Sequence, residues 1–528
     1  MDFLLAILPI GFLIYVMTKK DPWASYTSLP SAAILVYLLV LIHSKLDPNL
    51  VNATVVNGAL TALTPISIIW GAVLMSQAMR RSGAEGIIGE WLKEVSADPV
   101  AQLMIVGWAF PFMIEGASGF GTPAAIAAPL LVGLGFDAVR VAILTLVMNA
   151  VPVTFGAVGT PMWFGFSQVP LSPSEILAVS WKSALVHTVA ALFVPIIALR
   201  FVVGWNQIRQ NLLYIYLSIL SCVLPSLALS RFNYEFPSLI GGAVGLCLSV
   251  LLAKRQVGLA HTHAGKEADI GPPFKRHERV RAFAPYLMLI AILIVTRVRF
   301  LPLRAWLNAE SPKLVLDWGS LGTFSVSAAL VLRLDSIFCT TSGWSYHGLF
   351  VPSLIPFVVV VLLSIPLLRI DLPALKRVVA DTTNRLSGPS ITLVGALITV
   401  QLMTLGDDRA QTMTIGSTLA SATGRIWPFF APVLGALGAF FAGSATVSNL
   451  TFAGIQDSIA RTLGFDRTSI LALQSVGAAM GNMVAISNIV AVTSILDLVN
   501  QDGFVLKRTV IPLIVYCLVA GISGLILA

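Results

Sequence analysis

A single acidic side chain lies in a glycine-rich break between two apolar stretches. The segment reads Glu115-Gly-Ala-Ser-Gly-Phe-Gly-Thr-Pro123. Three glycines followed by Thr-Pro do not continue a straight helix. A carboxyl group held away from water favours its neutral form, so Glu115 is a candidate for loading and releasing a proton. The competing interpretation is that Glu115 braces the break by accepting hydrogen bonds from its backbone.

The backbone of this break also suits an anion. Glycine lets a ligand approach the chain closely, and free N–H groups near a helix start carry partial positive charge. We therefore expect substrate and proton binding at the break residues Glu115, Ser118, Gly119, Gly121 and Thr122.

Three further breaks carry neutral polar side chains that suit a carboxylate or an alcohol. They cover residues 149–161, 443–449 and 477–488. Small residues also permit close helix packing, and for any single serine or glycine that explanation is sufficient. Four breaks in two matching positions favour binding instead, which adds the candidates Asn149, Thr154, Thr160, Ser444, Thr446, Ser448, Asn449, Asn482, Ser487 and Asn488.

The other reactive side chains indicate structure rather than catalysis. His187 stands among apolar neighbours, where a hydrogen-bonded helix residue is more common than a proton relay. The four cysteines form no Cys-x-x-Cys pair, so no metal or redox site is predicted. Nucleotide-binding and hydrolase motifs are absent as well. We expect no catalytic residues, no metal and no cofactor apart from a coupling proton.

The elements that position these breaks are membrane helices. The chain has 528 residues, of which 57% are hydrophobic and only 11% are charged, against about 25% charged residues in soluble proteins. This composition excludes a cytosolic enzyme, a secreted disulfide scaffold and a nucleic-acid-binding protein. An apolar run of about 20 residues spans a bilayer, and the runs in this chain predict an all-α polytopic membrane protein with about 12–14 transmembrane helices.

Two parts of the chain look like repeats of each other. The tetrapeptide Leu-Gly-Phe-Asp occurs at 134–137 and again at 463–466. Each copy ends in an aspartate that suits the cap of the following helix. The charge pattern places Asp137 inside and Asp466 outside, which predicts inverted-topology repeats of the kind found in secondary transporters. Each repeat comprises a re-entrant hairpin followed by a broken helix, at 99–134 and 137–162 in the first and at 424–462 and 468–495 in the second.

A basic loop separates the two transmembrane halves. Residues 254–281 carry seven Lys and Arg residues, which marks the loop as cytoplasmic. The first half then covers residues 1–253 and the second covers 282–528, with both termini on the outer side. The expected partners are the lipid bilayer and a small anion, with no nucleic acid; a homo-oligomer is left open.

The motifs of the first repeat resemble the signature of the bacterial lactate permease family. They are E-G-A-S-G-F-G-T-P-A-A-I-A-A from Glu115, L-V-G-L-G-F from Leu131 and N-A-V-P-V-T-F-G-A-V-G-T-P from Asn149. The resemblance covers most of the chain, and it is strongest over 101–163 and weaker over 435–495. It implies a proton-coupled symporter for lactate and glycolate in the bacterial inner membrane.

The second repeat departs from that family pattern at two positions. The family's motif at 443–449 resembles G-S-D-T-S-S-N, and this chain has Ala445 in place of the aspartate. The family's later motif resembles G-K-M-I-S-P-Q, and in this chain Asn482 replaces the lysine. If the two charges pair in the family, their joint loss is electrically balanced. If instead the lysine helps hold the substrate carboxylate, this chain must hold the carboxylate otherwise or carry another substrate.

These observations predict a secondary transporter that imports a small 2-hydroxymonocarboxylate, lactate or glycolate, with a proton. A proton that accompanies the anion removes an opposing electrical term of about 2.3 kcal/mol per 100 mV. The alternative is a sodium-coupled carrier or exchanger of another small organic or inorganic anion. A membrane-embedded enzyme is disfavoured, because it would need a nucleophile–base or metal set. A channel is disfavoured as well, because it would not need buried breaks.

Overall fold

The protein is largely helical in a computed structural model that describes residues 3–19, 23–119, 122–260, 276–297, 302–351, 354–406, 410–498 and 501–528. The helices before residue 261 are α1 Phe3–Thr18, α2 Ser25–His43, α3 Pro48–Thr61, α4 Leu63–Arg81, α5 Ala84–Glu94, α6 Pro99–Gln102, α7 Phe110–Ala117, α8 Thr122–Val132, α9 Ala138–Met148, α10 Gly156–Trp163, α11 Pro173–Ala191, α12 Val194–Val202, α13 Trp205–Gln210, α14 Leu212–Ser230 and α15 Pro237–Lys254.

The helices after residue 275 lie before and after a small β-sheet in the chain. They are α16 Arg276–Arg297, α17 Pro302–Leu307, α18 Ile355–Leu368, α19 Leu372–Thr404, α20 Gln411–Thr423, α21 Trp427–Ala442, α22 Ala445–Leu463, α23 Arg467–Gly481, α24 Ile486–Ile495 and α25 Asp502–Leu527. Most of the basic loop predicted at 254–281 lies outside the described residues.

The helices form two compact units, and each unit takes segments from both halves of the sequence. The first unit contains Met1–Arg81, Ala284–Thr423 and Asp457–Thr462. The second contains Ser82–Phe283, Gly424–Gln456 and Leu463–Ala528. All four polar breaks of the sequence fall within this second unit.

The architecture agrees with the predicted multi-pass helical membrane protein. Within the described residues, nine helical segments are long and apolar enough to cross a membrane, or ten if one bent pair counts as a span. This number is lower than the 12–14 apolar runs of the sequence, because several runs form shorter helices. Phe3–Met17 and Ile355–Leu368 are such short apolar helices, and α21 has 16 residues.

A four-stranded antiparallel sheet is present although the sequence analysis expected only helices. Its strands are β1 Pro312–Asp317, β2 Thr323–Ser327, β3 Val331–Asp335 and β4 Trp344–His347, in that spatial order. Apolar and polar residues alternate in β2 and β4, and the β1–β2 and β3–β4 connections contain Gly and Ser. That period-2 pattern with turn residues is the signal that was missed.

Aspartate and serine caps fix where several helices begin. The Asp137 carboxylate accepts the Arg140 N–H at 3.0 Å, and the Asp466 carboxylate accepts the Thr468 N–H at 3.0 Å. Both predicted caps are therefore confirmed. A capped end satisfies backbone N–H groups that have no partner within the helix, so the cap sets the first residue of the broken helix in each repeat.

Small residues let the helices around the first hairpin pack backbone to backbone. A Cβ atom at Gly242 of α15 would overlap the main chain at Met113 of α7, and one at Gly116 of α7 would overlap the main chain at Leu239. Such close approach is typical of membrane helix interfaces. It holds α7, and with it Glu115, against α15.

The polar breaks interrupt helices in both repeats, as predicted. In the first, α7 ends at Ala117 and α8 begins at Thr122, while α9 is followed by a 3₁₀ turn at Pro152–Phe155 and a bend of 58°. In the second, a 3₁₀ turn at Asn482–Val484 separates α23 from α24. The predicted inversion of the repeats across the membrane stays a prediction.

Candidate functional site

A buried hydrogen bond joins the first two breaks. Glu115 lies on the last turn of α7 and its side chain is 2% exposed. The Asn149 side chain, at the end of α9, donates from Nδ2 to Glu115 Oε2 at 2.9 Å. The Oδ1 atom of Asn149 is also buried, and it has no hydrogen-bond partner among the described residues. Such an atom is available to a donor that the site takes up.

The backbone after the 3₁₀ turn is shaped around the Glu115 carboxylate. Gly156 packs so closely that a Cβ atom there would overlap Glu115 Oε1. Ala157, Val158 and Gly159 follow with φ angles of 44°, 55° and 68°, a left-handed conformation that is strained for residues with a Cβ. Three such residues in a row are held by the surrounding packing, since all of them are buried.

A narrow cavity connects this pair to the second repeat. The cavity has a volume of about 10 Å³ and is lined by Ala124, Leu146, Asn149, Asn482, Asn488 and Val492. The Asn488 amide donates to Asn482 Oδ1 at 3.1 Å and to the Asn482 carbonyl at 3.1 Å. Amide groups from two breaks, Asn149 in one and the Asn482–Asn488 pair in the other, therefore face one space.

Thr154 belongs to a second buried polar cluster. Its hydroxyl lies 2.7 Å from Nε2 of His187, and it lies 3.3 Å from the hydroxyl of Ser475. His187 Nδ1 forms a short hydrogen bond with the Tyr516 hydroxyl. The cluster links the 3₁₀ turn of the first repeat with α11, α23 and α25, and His187 is a fully hydrogen-bonded helix residue, as predicted.

Ser448 and Asn449 take part in a network of neutral amides. The Ser448 hydroxyl donates to the Gly435 carbonyl at 2.6 Å, and the Asn449 amide donates to the Pro161 carbonyl at 2.9 Å. Gln474 of α23 donates to both side chains and accepts from Gln456 at 3.1 Å. In this conformation these polar groups brace the second hairpin instead of facing the cavity.

Glycines in the left-handed region form the tips of both hairpins. Gly119 has φ +59°, and a Cβ there would lie 3.0 Å from that of Ala157. Gly443 has φ +69°, and a Cβ there would overlap the hydroxyl of Ser487. Each hairpin tip thus contacts the broken helix of its own repeat, and Ser487 lies at such a contact.

The remaining candidates have local partners or lie outside the described atoms. The Ser118 hydroxyl donates to the Ile114 carbonyl at 3.1 Å, and the Thr160 hydroxyl donates to the Ala157 carbonyl at 2.5 Å. Ser444 accepts the Val447 N–H at 3.4 Å, and Thr446 is buried. Gly121 and the Thr122 side chain are outside the described residues.

The two positions that depart from the family pattern have different surroundings. Ala445 packs in a buried apolar cluster with Val153, Ala478 and Ala479. Asn482, one helical turn after Ala478, lines the cavity. An aspartate at 445 would therefore enter an apolar cluster, which explains why alanine suits this chain there.

Sequence reasoning missed three of these partners. Gly156 belongs to the predicted break 149–161, and the structure shows that it also makes room for the Glu115 carboxylate. The sequence does not predict the contacts of Ser475 and Tyr516, because a lone Ser or Tyr in an apolar run gives no signal of its partner.

Within the described part of the chain, no group of three His, Cys, Asp or Glu side chains is placed to hold a metal ion.

Comparison with solved structures finds likenesses at low sequence identity. The chain matches the Neisseria gonorrhoeae MtrF structure with a TM-score of 0.48 at 11% identity, over 98% of this chain and 97% of that one. It matches the Alcanivorax borkumensis YdaH transporter with a TM-score of 0.46 at 12% identity, over 99% and 98% of the two chains.

Comparison by sequence is far more specific. The chain is 47% identical over 530 residues to a Haemophilus influenzae protein provisionally named as an L-lactate permease, over 100% of this chain and 98% of the relative. It is 28% identical over 546 residues to the L-lactate permease of Salmonella typhi, over 98% and 94%. It is 25% identical over 562 residues to the glycolate permease GlcA of Escherichia coli, over 99% and 95%.

The family predicted from the motifs is confirmed over the whole length. The sequence profile of the L-lactate permease family matches residues 2–528, and its named members are permeases rather than enzymes. With nine or ten apolar spans among the described residues, the chain is a multi-pass membrane protein, which in bacteria lies in the inner membrane. The chain belongs to the L-lactate permease family of membrane transport proteins.

Proposed function

We propose that this permease imports a small 2-hydroxymonocarboxylate, lactate or glycolate, together with a proton. Relatives named for L-lactate and for glycolate support this substrate class. The observation that carries the proposal is the cavity that Asn149, the partner of Glu115, shares with Asn482 and Asn488. It joins a buried carboxyl group to amides that suit a carboxylate and a hydroxyl.

The roles in this proposal follow from the chemistry of each group. Glu115 takes the proton, because it has no cationic partner among the described residues and a buried carboxyl group in such surroundings favours its neutral form. Asn482 and Asn488 donate to the substrate carboxylate, since amides offer two N–H donors each. Asn149 Oδ1 accepts from the 2-hydroxyl group, which satisfies its missing hydrogen bond.

The size of the cavity implies that this conformation is closed around the site. A cavity of about 10 Å³ has room for about one water molecule, far less than lactate needs. The lining elements α8, α9 and α24 must therefore separate before substrate enters. A site that opens and closes in this way suits a transporter better than a continuously conducting pore.

Charge balance favours a coupled proton. With Asn482 in place of a lysine, the substrate carboxylate meets neutral amides and not a fixed cation. The membrane potential opposes the entry of that anion into a cell that is negative inside, at a free-energy cost of about 2.3 kcal/mol per 100 mV. A proton on Glu115 that moves with the anion cancels this electrical term and adds the pH gradient as driving force.

Uptake into proteoliposomes tests the proposal. Labelled lactate and glycolate should accumulate when the outside is made acidic, with or without sodium, and each should compete with the other. Accumulation that requires a sodium gradient, or that ignores the pH gradient, would contradict proton coupling. Failure of both acids to compete, while another small anion is taken up, would contradict the substrate class.

A further inference from the structure

The small sheet has one apolar face that is only partly covered. The strand register places Leu314, Val326, Leu332 and Tyr346 in one row and Leu316, Phe324, Leu334 and Trp344 in the next. Over β3 and β4 this face packs against α3, in a core with Ala53. At β1 it is open, with Leu314 51% and Leu316 40% exposed.

The outer edge of β1 is free as well. In the described part of the chain, β1 has a neighbouring strand on one side only. The Trp318 N–H donates to the Gly322 carbonyl at 3.0 Å, so the residues that bond to β2 are the even-numbered ones. The N–H and C=O groups of Val315 and Asp317 therefore point outward, as they alternate along an antiparallel ladder. An exposed apolar edge strand of this kind is a template for pairing with another strand.

The sequence of β1 is complementary to itself in the antiparallel direction. If Val315 lies opposite Val315 of a second copy, Leu314 lies opposite Leu316 and Lys313 lies opposite Asp317 of that copy. Each dimer then has two leucine pairs and two opposite-charge pairs, and cross-strand pairs of both kinds stabilise a sheet. The same register uses the outward backbone groups of Val315. Asp317 uses Oδ1 to accept the Gly319 N–H, which leaves its other oxygen for the lysine.

We propose that β1 is a dimer interface, at which two copies of this chain join their sheets by antiparallel pairing about Val315. The partner is a second copy because charge, apolar pattern and backbone direction all match in one register. Backbone pairing at an exposed sheet edge is an established mode of recognition, and a two-fold axis makes it self-limiting.

Disulfide crosslinking of the full chain in its membrane tests the register. In a background with the exposed cysteines changed, Cys247→Ser and Cys339→Ser, Val315→Cys should give a covalent dimer about tenfold faster than the control Ala328→Cys. Ala328 is exposed in the β2–β3 turn and lies away from the proposed axis. Opposed residues of a bonded antiparallel pair are within disulfide range.

Charge reversal separates pairing between copies from an effect within one copy. Lys313→Asp should slow the Val315→Cys crosslink roughly fivefold, because it sets like charges opposite each other twice. Adding Asp317→Lys should restore it, and this rescue cannot arise within one strand, where the two residues are about 13 Å apart. Crosslinking of Val315→Cys no faster than Ala328→Cys, or no rescue by the double reversal, would overturn the proposal. Quenching of Trp318 by brominated lipids without any dimer would assign the face to the membrane surface and overturn it too.

Discussion

Glu115 and Asn149 are 34 residues apart in the chain and share a hydrogen bond of 2.9 Å between Oε2 and Nδ2. The bond links the end of one helix, before the first hairpin tip, to the end of another, before the bend. The other polar atom of the same side chain, Asn149 Oδ1, has no hydrogen-bond partner among the described residues. In the proposed mechanism, this pair is where proton occupancy of Glu115 and occupancy of the cavity influence each other.

Glu115→Gln tests whether the carboxyl group carries the coupling proton. Glutamine keeps the shape and can still accept from Asn149, but it cannot ionise. We expect accumulation driven by a pH gradient to be lost, while exchange of labelled for unlabelled substrate stays within about twofold, since exchange need not load or unload a proton. Glu310→Gln, two residues before β1, is the control and should leave both activities unchanged. Normal pH-driven accumulation by Glu115→Gln would remove Glu115 from the coupling mechanism.

Gly156→Ala tests the fit around the carboxylate. Gly156 has φ −66° and ψ 156°, which alanine adopts readily, so the effect of the added methyl group is steric. That methyl group would overlap Glu115 Oε1. We expect a loss of about 1–3 kcal/mol in stability, as for an overpacked core, together with reduced uptake. Gly86→Ala in α5, where a Cβ would meet nothing within 4 Å, should be neutral in thermal unfolding and in transport.

Thr154→Val tests the buried cluster of Thr154, His187, Ser475 and Tyr516. Valine removes the hydroxyl group and leaves His187 Nε2 without its bond of 2.7 Å, which costs about 1–3 kcal/mol for a buried polar group. Thr145→Val is the control, because the Thr145 hydroxyl bonds only to carbonyls of its own helix in the described structure. In thermal unfolding, Thr154→Val combined with His187→Phe should be less harmful than the sum of the single changes. Additive effects would show that the cluster does not act as a unit.

Asp466→Ala and Asp137→Ala compare two helix caps, of which only the first has an ion pair with Lys182. Burial favours the neutral acid, but hydrogen bonds from Lys182 and Thr468 outweigh it and lower the pKa of Asp466. Each cap is worth about 1 kcal/mol, and the half-exposed ion pair adds about 0.2–1 kcal/mol.

The pH dependence of that difference has a definite sign. A carboxyl group with a lowered pKa in the folded state stabilises the fold above its unfolded pKa of about 3.9, and this contribution disappears as the pH falls through the folded value. Asp466→Ala should therefore be the more harmful change in thermal unfolding at pH 7, and the gap should shrink below about pH 4. Equal effects of the two substitutions at pH 7 would mean that the ion pair contributes nothing.

Asn482→Lys and Ala445→Asp test whether the two departures from the family pattern compensate each other. Ala445→Asp alone puts a carboxylate into the cluster of Val153, Ala478 and Ala479, and breaking a buried pair by leaving one charge costs about 3–5 kcal/mol. The double change should be less damaging than either single change and should alter competition between lactate and glycolate in uptake assays. Equal damage in all three variants, with competition unaltered, would discard the pairing.

Local chemistry made much of this protein predictable. A charged fraction of 11% leaves lipid as the only solvent that suits the surface. The Gly-, Pro- and Asn-containing clusters at the polar breaks interrupt their helices, because they act on the backbone of their own segment. Asp137 and Asp466 cap helices for the same reason. The motifs around Glu115 were sufficient to identify the family.

Contacts between distant segments were decided by the tertiary structure alone. Asn149 and Asn482 face the cavity, whereas Asn449 braces a hairpin. This difference depends on how α9, α22 and α23 are rotated when they pack. Sequence gives a residue its chemistry but not its neighbour. A hydrogen bond between residues 34 apart, or 321 apart for Thr154 and Ser475, exists only because helix packing brings them within 3.5 Å, the range at which a polar group can be satisfied.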